Sequence, residues 1–277
     1  MLTAPINPPP ATKRWTSKPE FPSVFARSPF RPFLDIRISD LAFPYSLPPK
    51  SYCPEALARI SPNPVKHLVN THWHFDHTDG NEWLHSEGAE ITAHENTRKH
   101  LSTTTRVDAW NFTFPPAPQG AWPTKVFSQS RKLQLNGEEL ALEHYAPAHT
   151  DSDLSVLFTQ ADILLVADTW WNGHYPFIDY NTGGNINGMI EATKANIAQV
   201  TDQTIVIPGH GPIGDKAGLV EFYDMLATVR DRVAALKKLG KSLPEVIAAK
   251  PTAKYDARWG GFVIKGDLFT TLVYAGV

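Results

Sequence analysis

The chain has 277 residues and a formal net charge of −2, and 42% of its residues are hydrophobic. This length can bury one large core, so a second domain is not required, and the charge gives no sign of nucleic-acid binding. The single cysteine, Cys53, excludes an internal disulfide framework. No apolar run is long enough to span a membrane, and Met1 to Ser17 lacks the apolar core of a signal peptide. We therefore expect a cytoplasmic protein that does not act at a membrane.

Residues 1–61 are crowded with proline, including the run Pro8-Pro9-Pro10 and the pair Pro48-Pro49. Proline removes hydrogen-bond donors from a sheet, and only Phe33 to Phe43 resembles a strand. Two interpretations stay open: a divergent or extended arm, or first strands that are truncated or altered by a shifted reading frame. We favour the second, and we expect residues 62–277 to form the folded domain.

From residue 62 onward, strand and helix patterns follow one another along the chain. Apolar runs and alternating stretches predict strands at 65–70, 90–94, 131–135, 138–145, 154–158, 163–167 and 204–208. Apolar spacing and helix start signals predict helices at 79–88, 95–104, 187–200, 216–239, 242–249 and 266–274. Asn136-Gly137 is a strong hairpin signal. Residues 108–123, rich in proline and aromatic residues, are predicted to be a loop.

The segment Thr71-His72-Trp73-His74-Phe75-Asp76-His77 carries the strongest functional signal. Because side-chain direction repeats every two residues along a strand, His72 and His74 are expected on one side, with Asp76 and His77 on the following turn. Imidazole and carboxylate groups at this density favour a divalent transition metal, zinc first. Asp76 and His77 cannot easily reach the ion of His72 and His74, so the spacing indicates two adjacent ions.

Three further candidate ligands stand where predicted strands stop. His149 follows the strand at 138–145, Asp168 ends the apolar run 163–167, and His210 follows the run 204–208. Side chains at strand ends, positioned by a rigid sheet, are the usual construction of a metal site. We therefore predict that these three residues join the earlier cluster at one site.

The joint pattern of the seven candidate ligands resembles the metallo-β-lactamase superfamily over roughly residues 62–277. The residues that carry the resemblance are His72, His74, Asp76, His77, His149, Asp168 and His210. The resemblance implies an α/β fold, the αββα sandwich, with the metals at one edge between the two sheets. The weak strand signal in residues 1–61 indicates that the N-terminal sheet is incomplete. The resemblance also implies three ligand roles: His72, His74 and His149 on one ion, Asp76, His77 and His210 on the second, and Asp168 as the bridge.

Two such ions, about 3.5–4 Å apart, share one water and lower its pKa from near 16 to about 7. We therefore predict a dinuclear zinc-dependent hydrolase that uses a metal-bound hydroxide on a carbonyl substrate. Asp76 has a second, catalytic role in orienting the hydroxide and receiving its proton. No ligand position holds cysteine, which argues against the lactamases that use a cysteine ligand. Iron and manganese are alternative metals.

We expect a small-molecule substrate, either a β-lactam, a lactone or another ester or amide. A glutathione thioester is less favoured, because lysine and arginine gather mainly in the helix at 216–239. One alternative is a metal-binding but catalytically impaired protein of the same fold that lacks a complete N-terminal layer. Another is a di-iron oxidoreductase of the flavoprotein type, which we rate low because no glycine-rich flavin motif follows. The oligomeric state stays open.

Weaker signals surround the predicted ligands. Ligand histidines usually donate their second ring N–H to a carboxylate or a carbonyl, and Asp79 and Asp151 are the candidates. Asp79 is also interpreted as a cap of the following helix. His174, Tyr175 and Tyr180 follow the bridging aspartate, and either contact the substrate or belong to a packed aromatic loop.

Overall fold

The structure, a computed structural model, describes residues 36–38 and 53–277. Most of the predicted N-terminal arm therefore lies outside the described residues, and the domain boundary after residue 61 stays a prediction. The described helices are α1 (Cys53–Ile60), α2 (Phe75–Thr78), α3 (Asn81–Ser86), α4 (Glu95–Ser102), α5 (Ile186–Gln199), α6 (Lys216–Lys238), α7 (Leu243–Ala248), α8 (Asp256–Trp259) and α9 (Gly266–Ala275). Among them, none is long and apolar enough to cross a lipid bilayer.

The strands form two main sheets and one small hairpin. They are β1 (Ile36–Ile38), β2 (His67–Val69), β3 (Glu90–His94), β4 (Thr105–Val107), β5 (Phe112–Phe114), β6 (Lys125–Phe127), β7 (Ser130–Leu135), β8 (Glu138–His144), β9 (Leu154–Phe158), β10 (Ile163–Trp171) and β11 (Ile205–His210). The first sheet has the order β1-β2-β3-β6, and all of its neighbours are parallel. The second has the order β11-β10-β9-β8-β7, with only the β10–β11 pair parallel.

Neighbouring side chains on one strand point to opposite faces of its sheet, and their contacts show what covers each face. On β2, Leu68 packs with residues of α1 and α3, whereas Val69 packs with residues of β8 and β9 in the other sheet. On β10, Leu165 joins the core between the sheets, whereas Leu164 faces the cluster that includes α5, α6 and α9. The two sheets therefore lie face to face with helices on both outer sides, which is the αββα sandwich that the family resemblance implied.

Local sequence signals explain several element boundaries. Asn136 and Gly137 join β7 to β8 with φ values of 56° and 81°. A two-residue hairpin loop requires both residues in this left-handed region, which asparagine and glycine tolerate. Helix α7 begins with a capping box, in which the side chain of Glu245 accepts from the backbone N–H of Ser242. The hairpin and the start of a helix at residue 242 were predicted from the sequence, whereas the capping box was not.

The predicted loop at 108–123 is only partly irregular. Its first part contains β5, which pairs with β4 in an antiparallel hairpin, and β6 follows at the edge of the first sheet. Each of these strands has three residues, which is too short for a period of two to be recognised in the sequence. The hairpin matters for function, because it places aromatic residues beside the predicted ligands.

Candidate metal centre

The first four predicted ligands follow β2 directly. His72 lies in the connection after this strand, and His74 immediately precedes α2. Asp76 and His77 lie on α2, so the predicted turn is a one-turn helix. Because successive side chains diverge around a helix, this segment supplies ligands to two neighbouring positions.

A reciprocal pair of buried amides closes the segment that carries these ligands. Asn70 Nδ2 donates to Asn81 Oδ1, and Asn81 Nδ2 donates to Asn70 Oδ1, each over 2.9 Å. Asn81 Nδ2 also donates to the carbonyl oxygen of Ala121 at 2.9 Å. Sequence reasoning did not single out this pair. It satisfies both buried side chains and fixes the distance between the end of β2 and the start of α3.

His149 lies in the connection between β8 and β9. The carboxylate of Asp153 accepts hydrogen bonds from the backbone N–H groups of His149 at 2.6 Å and of Thr150 at 2.8 Å. It also accepts from the Thr150 hydroxyl at 2.7 Å. Aspartate often closes a turn in this way. Thr150 and Asp153 are therefore turn residues that hold the backbone at His149.

Asp168 does not end its strand, contrary to the prediction, because β10 continues to Trp171. Ala167 has a φ of 46°, and the register with β11 shifts on both sides of it, as in a β-bulge. A bulge redirects the next side chain, and here it directs Asp168 towards the other candidate ligands. A Cβ atom on Gly209 of β11 would lie 1.8 Å from Asp168 Oδ1, so glycine is needed there. His210 is the last residue of β11.

The structure brings all seven predicted ligands together in two adjoining groups. Within each group, one donor atom from every side chain lies within 4.8 Å of the others. The first group is His72, His74, His149 and Asp168, and the second is Asp76, His77 and His210. Asp76 is the exposed member, and the other six are buried.

Asp168 joins the two groups. Its Oδ2 atom lies 3.3 Å from His149 Nε2 and 3.4 Å from His210 Nε2, and its Oδ1 atom lies 3.3 Å from His77 Nε2. Asp76 Oδ2 lies 3.4 Å from His210 Nε2. Donor atoms around one tetrahedral zinc ion are roughly 3.3 Å apart when each bond is about 2.0–2.1 Å. The observed spacings fit that geometry.

In His74 and His149, the ring nitrogen that points away from the centre makes a hydrogen bond, and this bond sets which nitrogen faces the centre. His149 Nδ1 donates to the carbonyl oxygen of Phe177 at 2.8 Å, and His74 Nε2 donates to Asp179 Oδ2 at 3.2 Å. In the neutral rings, His149 Nε2 and His74 Nδ1 are then both unprotonated, yet they lie 2.9 Å apart. Two facing lone pairs repel each other unless a cation lies between them. The donor set therefore fits a metal ion.

A buried nitrogen of His72 supports the same conclusion. His72 Nδ1 is 3.3 Å from the Thr71 hydroxyl, so Nε2 faces the centre. This Nε2 atom is buried and has no hydrogen-bond partner among the residues that the structure describes, and Asp168 Oδ2 lies 3.9 Å away. Leaving a buried polar atom unsatisfied costs about 1–3 kcal/mol, which coordination to a metal ion would offset.

Comparison with known families agrees with this geometry. The model of the metallo-β-lactamase superfamily matches residues 38–218. The chain belongs to the metallo-β-lactamase superfamily. The chain is 24% identical over 157 residues to a hydroxyacylglutathione hydrolase from Polaromonas sp.. That match covers 56% of this chain and 52% of the relative, so the chain spans about half the length of this curated relative.

Solved structures of the superfamily share the fold. A metallo-β-lactamase from Pontibacter korlensis is 22% identical, with a TM-score of 0.51 over 64% of this chain and 78% of that chain. A sec-alkylsulfatase from Pseudomonas sp. is 15% identical, with a TM-score of 0.55 over 79% of this chain and 43% of that chain. At such identities the likeness shows the metallo-β-lactamase fold alone.

The partners of the ring nitrogens differ from the two that the sequence suggested. Asp179 and the Phe177 carbonyl occupy these positions, whereas Asp151 accepts a hydrogen bond from His100 Nε2 at 2.8 Å. Helix α3 begins after Gly80 without a side-chain cap, so the interpretation of Asp79 as its cap was wrong. Asp179 lies 105 positions from His74 along the chain. No local pattern connects residues that far apart.

The pKa shifts of His72, Asp76 and Asp168 suit metal binding, whereas at His210 the effect of burial is outweighed by Asp168, which raises the pKa. Burial, followed by repulsion from His77, holds the pKa of His72 well below its ordinary value. Burial alone would raise the pKa of Asp168, but the surrounding histidines, His77 first, outweigh it and hold that pKa well below the usual range. Burial is also outweighed at Asp76, where His77 lowers the pKa to about 2. Neutral imidazoles and ionised carboxylates are the forms that bind metal ions.

The aromatic residues after Asp168 have different roles. Tyr175 is fully buried, stacks on Phe269 at 4.7 Å and donates a hydrogen bond to Asp256, so it is a core residue. His174 is half-buried, with its ring 4.9 Å from that of Phe262. Tyr180 is half-buried against the core beside α5 and α9. The ring of Phe262 also lies 6.0 Å from that of His210. Phe262 therefore lies between His174 and a predicted ligand, so His174 is the best placed of the three residues to contact a substrate.

Asp179→Asn is expected to weaken zinc binding by about 10–100-fold, because the amide holds His74 without the charge that raises the basicity of its ring. The measurement is the zinc dissociation constant in competition with a colorimetric chelator. Asp108→Asn is the matched control. Asp108 is an exposed aspartate that accepts a hydrogen bond from Asn181 and belongs to neither ligand group. Equal zinc affinity in both variants would contradict the role of Asp179.

Proposed function

We propose that this protein is a dinuclear zinc-dependent hydrolase that acts on a carbonyl substrate such as a β-lactam, a lactone or another ester or amide. The observation that carries the proposal is the 2.9 Å approach of the two unprotonated nitrogens of His74 and His149. The sharing of Asp168 between two groups of donor atoms supports a second ion. An all-nitrogen and oxygen donor set with spacings near 3.3 Å suits zinc, and iron or manganese could take the same ligands.

The ligand assignment follows the two groups of side chains. We assign the first ion to His72, His74 and His149, and the second to Asp76, His77 and His210. Asp168 would be the ligand that the two ions share, because its two oxygens face histidines of both groups. When bound, the ions would supply a water that ionises near neutral pH and a Lewis acid for the carbonyl oxygen.

Asp76 is the residue that we assign to proton transfer. Its side chain is 32% exposed, whereas that of Asp168 is 2% exposed, so Asp76 is the ligand carboxylate that solvent and substrate reach. The low pKa of Asp76 keeps it ionised and able to accept a hydrogen bond from the attacking water. Asp76 would orient this water, receive its proton and pass it to the leaving group as the acyl bond breaks.

Metal analysis of the purified, folded chain tests the proposal, and close to two zinc ions per chain are expected. Removal of zinc by a chelator should abolish hydrolysis, and added zinc should restore it. Nitrocefin, an acyl-homoserine lactone, a p-nitrophenyl ester and S-lactoylglutathione cover the substrate classes. A folded protein that binds no metal would contradict the proposal. A fully metallated protein that is inactive on all four would favour the catalytically impaired alternative.

His149→Ala is expected to remove one of the two zinc ions, because His149 belongs to only one ligand group. The measurement is the zinc content per folded chain, which should fall from about two to about one. His144→Ala is the control, since His144 ends the preceding strand and stacks on His94 outside both groups. Full zinc occupancy in the His149 variant would count against the assignment.

A further inference from the structure

An aromatic wall lies beside the first ligand group, formed by Phe75, Trp110 and Phe114. The ring of Trp110 is 5.0 Å from that of His74 and 6.0 Å from that of Phe75, and Phe75 stacks on Phe114 at 5.8 Å. All three side chains are half-buried, so part of each ring faces solvent. The wall is therefore an apolar surface that begins at a ligand histidine and continues outward.

Two contacts hold Trp110 in position, one with a buried aromatic ring and one through the backbone of its hairpin. Its ring stacks at 4.7 Å on the buried ring of Phe177, whose carbonyl oxygen orients His149. The backbone N–H of Asp108, two residues earlier, donates to Asn181 Oδ1 at 2.8 Å. Trp110 is thus fixed next to the ligands by contacts that do not depend on a substrate, as a preformed binding surface requires.

Among the residues that the structure describes, the ion pairs of the centre join histidines to aspartates, as between His77 and Asp168 at 3.3 Å and between His210 and Asp76 at 3.4 Å. Arg106 lies on the hairpin of the wall, but it pairs with Asp108 at 2.9 Å and donates to Asn111. Glutathione carries two carboxylates, and among the described contacts of the centre no lysine or arginine is placed to pair with them.

We propose that the substrate is a neutral ester or lactone with an apolar acyl chain, and that Trp110 determines this specificity by contacting the chain. This inference rests on the proposed function. Water adds its oxygen to the acyl carbon, the acyl C–O bond breaks, and the water's proton goes to the leaving alkoxide, which gives a carboxylic acid and an alcohol. The wall binds the chain while the carbonyl lies at the ligand cluster.

Two esters with one leaving group test this inference on the zinc-loaded full chain. The expected kcat/KM for p-nitrophenyl hexanoate exceeds that for p-nitrophenyl acetate by about tenfold or more, because four additional methylene groups leave water. Trp110→Ala should remove this preference, so that the ratio of kcat/KM for the hexanoate to that for the acetate falls to about one at full zinc occupancy. Phe112→Ala is the matched control, because it removes an aromatic ring from the same hairpin. Phe112 is 50% exposed, and its ring contacts that of Phe114.

Binding of the unreactive analogue hexanamide, measured by calorimetry against acetamide, separates the two proposals. Equal kcat/KM for both esters, or a preference that survives Trp110→Ala, would overturn the inference and leave the hydrolase proposal standing. Preferred hydrolysis of S-lactoylglutathione would also overturn it. Inactivity of the zinc-loaded chain towards every ester and towards nitrocefin, the acyl-homoserine lactone and S-lactoylglutathione would overturn the hydrolase proposal. In that case tighter binding of hexanamide that depends on Trp110 still supports the apolar site, and its absence refutes it.

Discussion

Asp76→Asn is expected to lower kcat by about 10²–10⁴-fold while the protein stays folded, because a positioned general base contributes a factor of this size. The amide keeps the shape of the side chain but cannot receive a proton. The side chain is one-third exposed, so its replacement costs little packing energy. The measurements are kcat at saturating substrate and zinc, together with the thermal unfolding temperature.

Asp79→Asn is the control for this prediction. Asp79 follows α2 three residues after Asp76, is exposed and belongs to neither ligand group. The same chemical change there should leave kcat within a factor of about three. A kcat near that of the unmodified protein in the Asp76 variant, at full zinc occupancy, would show that another group accepts the proton.

Gly209→Ala is expected to damage the centre without altering any ligand. The added methyl group would lie 1.8 Å from Asp168 Oδ1 and 2.8 Å from the backbone nitrogen of Asp168. The carboxylate of Asp168 and the bulge that carries it must then move, and a displacement of about 1 Å in a catalytic group costs on the order of 10²-fold in rate. Overpacking at this buried position should also lower the free energy of unfolding by about 1–3 kcal/mol.

Zinc content, kcat and thermal unfolding of the Gly209 variant are to be compared with those of Gly80→Ala. Gly80 has an ordinary φ of −81° and no atom within 4 Å of an added Cβ, although it also lies close to the ligands in the chain. The Gly80 variant should therefore retain both zinc ions. If the Gly209 variant also retains both ions and full activity, the close approach of β11 to Asp168 is not required.

The substrate that we propose differs in charge from the substrate that the name of the curated relative gives. The curated relative is a hydroxyacylglutathione hydrolase, whose named substrate is a glutathione derivative. In this chain the groups that most strongly affect the ligand charges are histidines and aspartates, and the hairpin at 105–114 adds aromatic rings. Under our proposal, the ligands at the strand ends would supply the chemistry, and the hairpin at 105–114 would set the choice of substrate.

Most of the helices and strands could be predicted, because the spacing of apolar residues and the turn residues of short segments indicate them. The helix at 216–239 and the hairpin at Asn136-Gly137 follow from apolar spacing and from backbone preferences, and both were found within one or two residues. The three-residue strands β4, β5 and β6 were missed, because pairing with a neighbouring strand, and not their own sequence, makes them strands. Propensity is a weak guide where pairing decides.

By itself, the sequence determined which side chains could bind metal and that they follow apolar runs, because residue type and period are local properties. Only the tertiary structure decided how they meet. It placed Asp179 and the Phe177 carbonyl against the outer nitrogens of His74 and His149, and it set Asp168 on a bulge beside Gly209. These contacts join residues that are 28 to 105 positions apart or lie on different strands. They arise from the packing of two sheets, which no short stretch of sequence encodes.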